Sequence, residues 1–243
     1  MAHTKELKAG ALIQARMSSS RLPGKVLAPV EGRPLLAYLV ERLHRLGPGW
    51  TVAVATSREA SDDPVAAFCE GMGVPCWRGP LDDVALRLLE CARHLGLDAF
   101  ARVCADSPLL DVDLLRRGLA LLHAASPGDS EGPADLVTNC LPKHFPAGQS
   151  VEVVRTASLE RAYARFSEPG HHEHVTRYFY QHPGEFSIRA IVAGRDYSGA
   201  HLAVDQPRDL ERVRAMVRRM DRPHWEYGLE ELMALYEGAE EAP

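Results

Sequence analysis

The sequence predicts an α/β fold with three layers, a mainly parallel sheet covered by helices on both faces. Short, mostly apolar runs alternate along the chain with segments of helical spacing. The connections between them are brief, as in successive βαβ units. Such apolar runs are the pattern of strands buried on both sides.

Residues 11–15 form the first run and lead into a loop rich in Ser, Gly and Pro that lasts to about Arg33. Pro34 suits the first turn of a helix, and Leu35, Leu39, Leu43 and Leu46 keep helical spacing until Gly47-Pro48-Gly49 stops it. Residues 51–56 read as the second strand, 62–70 as a helix, 75–78 as a short strand, 82–94 as a helix, 99–104 as a strand and 111–124 as a helix. Residues 126–133 read as a surface loop within one domain, because a strand candidate at 135–138 follows at once. A β-rich piece at 150–154, a helix at 156–166, a His-rich amphipathic segment at 171–182 and a strand at 185–192 come next. Residues 201–205 read as a last strand and 207–220 as a closing helix with its own first-turn Pro207. In a doubly wound sheet, ligands lie at the C-terminal ends of strands.

The 243 residues carry 28 Lys and Arg against 33 Asp and Glu, a formal net charge of −5, with 46% hydrophobic residues. That balance fits one globular domain and excludes disordered and collagenous chains. A net acidic chain also argues against nucleic acid as the main partner. No run approaches the roughly 18 apolar residues that span a bilayer, and no signal-peptide core is present, so the expectation is a cytoplasmic protein with no membrane partner. Cys69, Cys76, Cys91, Cys104 and Cys140 are odd in number and never spaced C-x-x-C, which fits neither a disulfide framework nor a zinc ribbon.

The charge is unevenly spread. No acidic residue lies between Glu6 and Glu31, whereas Lys8, Arg16, Arg21 and Lys25 all do, and Lys25 is notable in a chain with 24 Arg and only 4 Lys. The loop Arg16-Met-Ser-Ser-Ser-Arg-Leu-Pro-Gly-Lys25 therefore combines guanidinium forks, hydroxyls, an ammonium and a glycine just after the first strand, chemistry suited to a triphosphate. It is not a P-loop: Ser19 replaces the first glycine of G-x-x-x-x-G-K-[ST], and Val26 replaces the metal-binding hydroxyl. The dinucleotide pattern G-x-G-x-x-G is absent too. The bland alternative is a solvated polar loop.

The stretch from Ile13 to Leu27, followed by Gly32-Arg-Pro-Leu35, closely resembles the signature of sugar cytidylyltransferases, the group of the CMP-Kdo and acylneuraminate synthetases. It is most similar to the spore coat polysaccharide biosynthesis protein F subfamily. Ala55-Thr-Ser57, Trp77-Arg-Gly79, Asp82-Asp-Val84, Arg102 to Leu109, Val151-Glu-Val153, Glu173-His-Val-Thr176 and Val204 to Leu210 follow that family's order, so the resemblance covers residues 11 to about 215. It implies a nucleotide-diphosphosugar-transferase (GT-A-like, Rossmann-like) fold and transfer of a cytidylyl group from CTP to a sugar for a surface or coat polysaccharide. Within the single domain, about 11–125 would bind the nucleotide and about 135–222 the sugar and the second subunit of a homodimer.

Carried over residue by residue, the resemblance implies nucleotide contacts from Gln14, Ala15, Arg16, Ser18, Arg21, Lys25, Ser57, Arg78, Gly79 and Arg102, and sugar contacts from Gln149, Glu152 and His174. Attack of an oxyanion on a polyphosphate calls for a divalent cation held by carboxylates. The family's metal ligands match Asp106 and Asp205, which implies Mg²⁺, although Ala105, Ser107 and Gln206 depart from the usual neighbours. Each aspartate precedes a proline by two residues, so a capping role is the competing reading. Asp111-Val-Asp113 opens a helix and reads as capping. His171, His172 and His174 lie too close in sequence to face one ion from a regular helix. The Arg-rich helix near Arg212 reads as a solvated face. Arg16, Arg21 and Lys25 would neutralise the leaving pyrophosphate. A glycosyltransferase of the same fold and a non-catalytic nucleotide-binding relative are the competing functions.

Overall fold

The computed structural model describes residues 7–124 and 133–240. Strand β1 (Ala9–Gln14) is buried along its apolar length and opens into the long loop expected from the sequence. That loop contains a 3₁₀ turn at Lys25–Leu27 and a minimal hairpin of β2 (Pro29–Val30) and β3 (Arg33–Pro34). Helix α1 (Leu35–Leu43) follows, with Pro34 at its N-cap instead of in its first turn, and a 3₁₀ turn at His44–Leu46 completes the expected leucine stripe. Then come β4 (Trp50–Ser57), α2 (Asp63–Met72), β5 (Cys76–Gly79), α3 (Val84–His94), β6 (Ala99–Cys104) and α4 (Val112–His123). The expected loop at 126–133 lies, but for Pro133, outside the described residues.

The second half holds β7 (Leu136–Thr138), β8 (Glu152–Arg155), α5 (Thr156–Tyr163), α6 (Pro169–Glu173), α7 (Arg177–Gln181), β9 (Ile188–Ala190), α8 (Pro207–Arg218) and α9 (Leu229–Glu240). Seven strands form one sheet in the order β5-β4-β1-β6-β8-β7-β9. Only β8 opposes its neighbours, β6 and β7; the other pairings are parallel. Side chains alternate across the sheet as a period of two requires. Ala11, Ile13, Val52, Val54, Ala101 and Val103 join α1, α2 and α4 on one face. Leu12, Ala53, Phe100 and Val154 join α3, α5 and α7 on the other.

The chain leaves β1 through α1 towards β4 and later returns through α3 to β6 on the opposite side of β1. The strand order therefore reverses between β1 and β6, where their C-terminal ends leave a crevice. Gln14 and Cys104 are paired across this mouth.

Three expectations need correction. Residues 201–205 are not a strand: His201 alone bridges, to Ala147, and the next donors go to different loops, Leu202 N–H to the Ala147 carbonyl and Val204 N–H to the Asp106 carbonyl. Gly148, at φ +90°, makes that crossing possible, since a Cβ there would stand 2.6 Å from the backbone of Leu202 and Ala203. Second, the His-rich segment is broken into α6 and α7, and the strand expected at 185–192 shrinks to β9. Third, α9 was not foreseen, although Leu229, Leu232, Met233 and Tyr236 carry its helical spacing. It packs with Leu109, Tyr197, Leu202 and Met216.

Arg42 on α1 fastens this C-terminal portion. It is 1% exposed and donates to the carbonyls of Leu110 (2.7 Å), Tyr227 (2.6 Å) and His224. Burial pulls its pKa down to about 10, so it stays charged at neutral pH. Arg42→Met would leave those buried acceptors without a donor, at a cost of about 3 kcal/mol or more. Denaturant titration should show that loss and hydrogen exchange should show faster amide exchange across 224–240; an unchanged midpoint would contradict the role.

Candidate active site

The crevice between β1 and β6 is a polar cleft of about 240 Å³. Gln14 at the end of β1 and Arg16, Ser19, Ser20, Arg21 and Lys25 of the first loop line it; Cys104, Ala105 and Asp106 line it from the end of β6, and Asp205 closes it. Gly24, at φ +74°, starts the turn that carries Lys25 inward. Lys25, a residue only 8% exposed, donates through its ammonium to Asp106 Oδ2 at 2.8 Å and Asp205 Oδ1 at 3.1 Å. Arg21 reaches the same Asp205 oxygen at 2.8 Å from a more exposed position. Two carboxylates that would repel each other are thus held on one point by cations from the first loop.

Asp205 is aligned from behind. The Asp209 carboxylate accepts the N–H groups of Asp205 (3.0 Å) and Gln206 (2.8 Å), closing the start of α8. His201 Nε2 lies 3.5 Å from Asp205 Oδ2. Capping and site geometry are therefore not alternatives here: Asp209 does the capping, which leaves Asp205 free to face the cleft. Asp106 keeps its carboxylate on Lys25 and on the Ser107 hydroxyl at 3.3 Å. Asp111, read as a cap, does cap, taking the N–H groups of Asp113 and Leu229.

The loop is tied down by a residue that sequence reading missed. Asp62, fully buried before α2, accepts the Met17 N–H at 2.7 Å and the Ser57 N–H at 3.1 Å, and binds the Ser57 hydroxyl. Burial alone would raise its pKa, but these donors outweigh it and hold the carboxyl below its ordinary value. In sequence it stands only as the first residue of the helix read at 62–70, with no local mark of these partners. Ser57 is thus buried and serves the loop's anchor, while Ser18 is exposed and Ser19 and Ser20 are the hydroxyls that line the cleft. Arg78 points the same way as Ser57: it donates to the carbonyls of Ser57 (2.8 Å) and Glu59 (2.9 Å) and pairs with Asp63. Gly79 lines a wider groove of about 790 Å³ with Asp82, Asp83, Phe166 and His172.

A second cleft of about 270 Å³ adjoins the first, sharing Gln14, Arg16 and Cys104 and adding Ala15, Arg87, Arg102, Glu173 and His174. Arg102 donates to Glu152 Oε2 at 2.7 Å and to Gln14 Oε1 at 3.1 Å. Burial pushes the Glu152 carboxyl up, but Arg102 and the hydroxyls of Thr176 and Tyr180 pull it further down, so it is a buried anion. Burial pushes the Cys104 thiol up to about 11 against the pull of Arg102, leaving it neutral and no nucleophile at neutral pH.

Two residues expected to contact the sugar have their polar atoms engaged within the protein. Glu152 is 3% exposed with both oxygens engaged, so it sets the position of Arg102. Gln149 is 0% exposed, accepts the Asp111 N–H and donates to the Leu109 carbonyl, each at 2.8 Å. It clamps the chain after Asp106. His174 is exposed beside the second cleft, as a ligand contact requires. The histidines diverge: His171 Nε2 meets Gln181, His172 Nδ1 meets Asp83, and Glu173 pairs with Arg16.

A family model described as cytidylyltransferase matches residues 10–241. The chain is 27% identical over 214 residues to the spore coat polysaccharide biosynthesis protein SpsF of Bacillus subtilis, covering 86% of this chain and 85% of that protein. It is 28% identical over 228 residues to the 3-deoxy-manno-octulosonate cytidylyltransferase of Aeromonas salmonicida, covering 84% and 85%. A cytidylyltransferase structure from Leptospira borgpetersenii superimposes with a TM-score of 0.87 at 28% identity over 96% of this chain and 94% of that one.

The Arg102–Glu152 pair yields a pH test. Because the folded Glu152 pKa lies below the ordinary 4.5, its contribution is present above 4.5 and is lost as pH falls through the lower folded value. Glu152→Gln should cost about 3 kcal/mol near neutral pH, the scale of a broken buried pair. In urea titrations the gap from wild type should close below pH 4.5. A gap that widens in acid would contradict the assignment.

Proposed function

The chain belongs to the cytidylyltransferase family and is a nucleotidyltransferase, and from that premise we propose that it transfers the cytidylyl group of CTP to a sugar hydroxyl, forming a CMP-sugar and pyrophosphate for a surface or coat polysaccharide. The observation that carries the reading is the convergence of Lys25 and Arg21 on Asp106 and Asp205 at the mouth between β1 and β6. Polyphosphate needs clustered cations, and phosphoryl-type chemistry needs carboxylates that can hold a metal beside it.

The donor set fits Mg²⁺. Two hard carboxylate oxygens meet within 2.8 and 3.1 Å of one nitrogen, so they address a single point. Among the described residues no group of three or more His, Cys, Asp or Glu is placed to hold a metal ion, so Asp106 and Asp205 are the two residues that would hold it. When bound there, the cation supplies positive charge at the α-phosphate, where negative charge gathers as the new bond forms.

The chain's own residues do the remaining work. Lys25 and Arg21 bind the β- and γ-phosphates and stabilise the pyrophosphate as it leaves. Ser19 and Ser20 donate to the same oxygens, and Asp62 keeps the loop in register by holding the Met17 N–H. Gln14, fixed by Arg102, orients what lies between the two clefts. The acceptor sugar occupies the second cleft near His174, with the nucleoside reaching towards the groove at Gly79.

Pyrophosphate release is the test: each of the four nucleoside triphosphates with Mg²⁺ across a panel of sugars. CTP should turn over with at least one sugar, and Asp106→Asn and Asp205→Asn should each lower that rate about 100-fold or more while melting as wild type does. No turnover of CTP with any sugar, or undiminished rates in both variants, would refute the proposal.

A further inference from the structure

Lys25 stands where the metal ion of the proposed reaction belongs. Its ammonium touches both carboxylates, it is 8% exposed, and its backbone is fixed by the Gly24 turn and by its N–H bond to the Leu22 carbonyl. A magnesium-sized ion would need the same two oxygens at about 2.1 Å. A divalent ion and an ammonium set on the same two oxygens repel each other at contact distance, so one weakens the hold of the other.

We propose that Lys25 is a resident counter-ion that must exchange carboxylates for phosphate before the metal can enter, so cation and nucleotide bind as one coupled event. The inference rests on the reading of this cleft as a triphosphate site. Without ligand, Asp106 and Asp205 are balanced by Lys25 and Arg21, and the cleft is electrically closed. A divalent cation alone would drive the Lys25 ammonium from its partners, with no anion to receive it. A polyanion alone would meet two carboxylates. Together they give each group a partner of opposite charge: the metal takes the carboxylates, and the flexible Lys25 stem turns its ammonium onto phosphate oxygens. Arg21, 59% exposed on its side chain, can move with it. The coupling is reciprocal by linkage: each ligand tightens the other by the same factor.

The probe is Mn²⁺ alone, titrated without nucleotide into the full-length protein and followed by the electron paramagnetic resonance of the free ion. Wild type should bind weakly. Lys25→Met, which keeps the stem and removes the charge, should bind at least about tenfold more tightly. Lys25→Met combined with Asp106→Asn should lose that gain. Thermal melts establish that each variant folds, and Lys25→Gln replaces Lys25→Met if the latter does not.

Mn²⁺ binding no tighter in the charge-removed variant, or wild type binding nucleotide-free Mn²⁺ as tightly as that variant, would overturn the exchange. Pyrophosphate release separates the two ideas. Loss of turnover in Asp106→Asn without a gain of Mn²⁺ affinity in Lys25→Met refutes the exchange alone. Full turnover in Asp106→Asn refutes the metal site beneath both.

Discussion

Two aspartates from distant parts of the chain must be held side by side at the crevice where the strand order reverses, and like charges resist that. Lys25 removes the conflict by donating to Asp106 and Asp205 together, with Arg21 adding to Asp205. Much of the surrounding architecture serves to bring these groups to one place. Asp106 arrives on the turn after β6, the loop of Lys25 leaves the neighbouring β1, and Asp205 is delivered by a chain crossing fastened to the Asp106 and Ala147 carbonyls. The crossing needs Gly148, and the start of α8 needs Asp209.

Behind this front lies a layer of buried polar residues that bind the protein to itself. Asp62 links the first loop to the end of β4, Gln149 clamps the chain between Leu109 and Asp111, and Glu152 fixes Arg102, which in turn fixes Gln14. Each is buried with its polar atoms engaged, as low local dielectric demands. Such residues determine where the cleft-lining groups point. They also explain why the site can be built on a loop: the loop is held from both ends, at Met17 and at Lys25.

The parallel sheet, the cationic first loop and the strand-end Asp106 were legible because each rests on local signals: apolar runs, an acid-free window, a carboxylate after a strand. The rest depends on partners far away in sequence. Residues 201–205 look like a strand since His-Leu-Ala-Val-Asp is apolar at its centre, but their hydrogen bonds go to loops. Gln149 and Glu152 carry the functional groups of ligand contacts, and nothing local reveals that Leu109, Asp111 and Arg102 consume them. Asp62 reads in sequence only as the start of a helix, while its partners Met17 and Ser57 lie in other elements. Helix α9 lay beyond the reach of the family signature, though its apolar spacing was present to be read.

The central claim is that the cleft between β1 and β6 receives the triphosphate. A crystal structure of the protein with CTP and Mg²⁺ addresses it most directly. The account predicts phosphate oxygens within hydrogen-bond distance of Lys25 and Arg21, with Asp106 and Asp205 on the metal. Phosphates lying instead in the groove between Gly79 and His172, with Lys25 still on both aspartates, would contradict it.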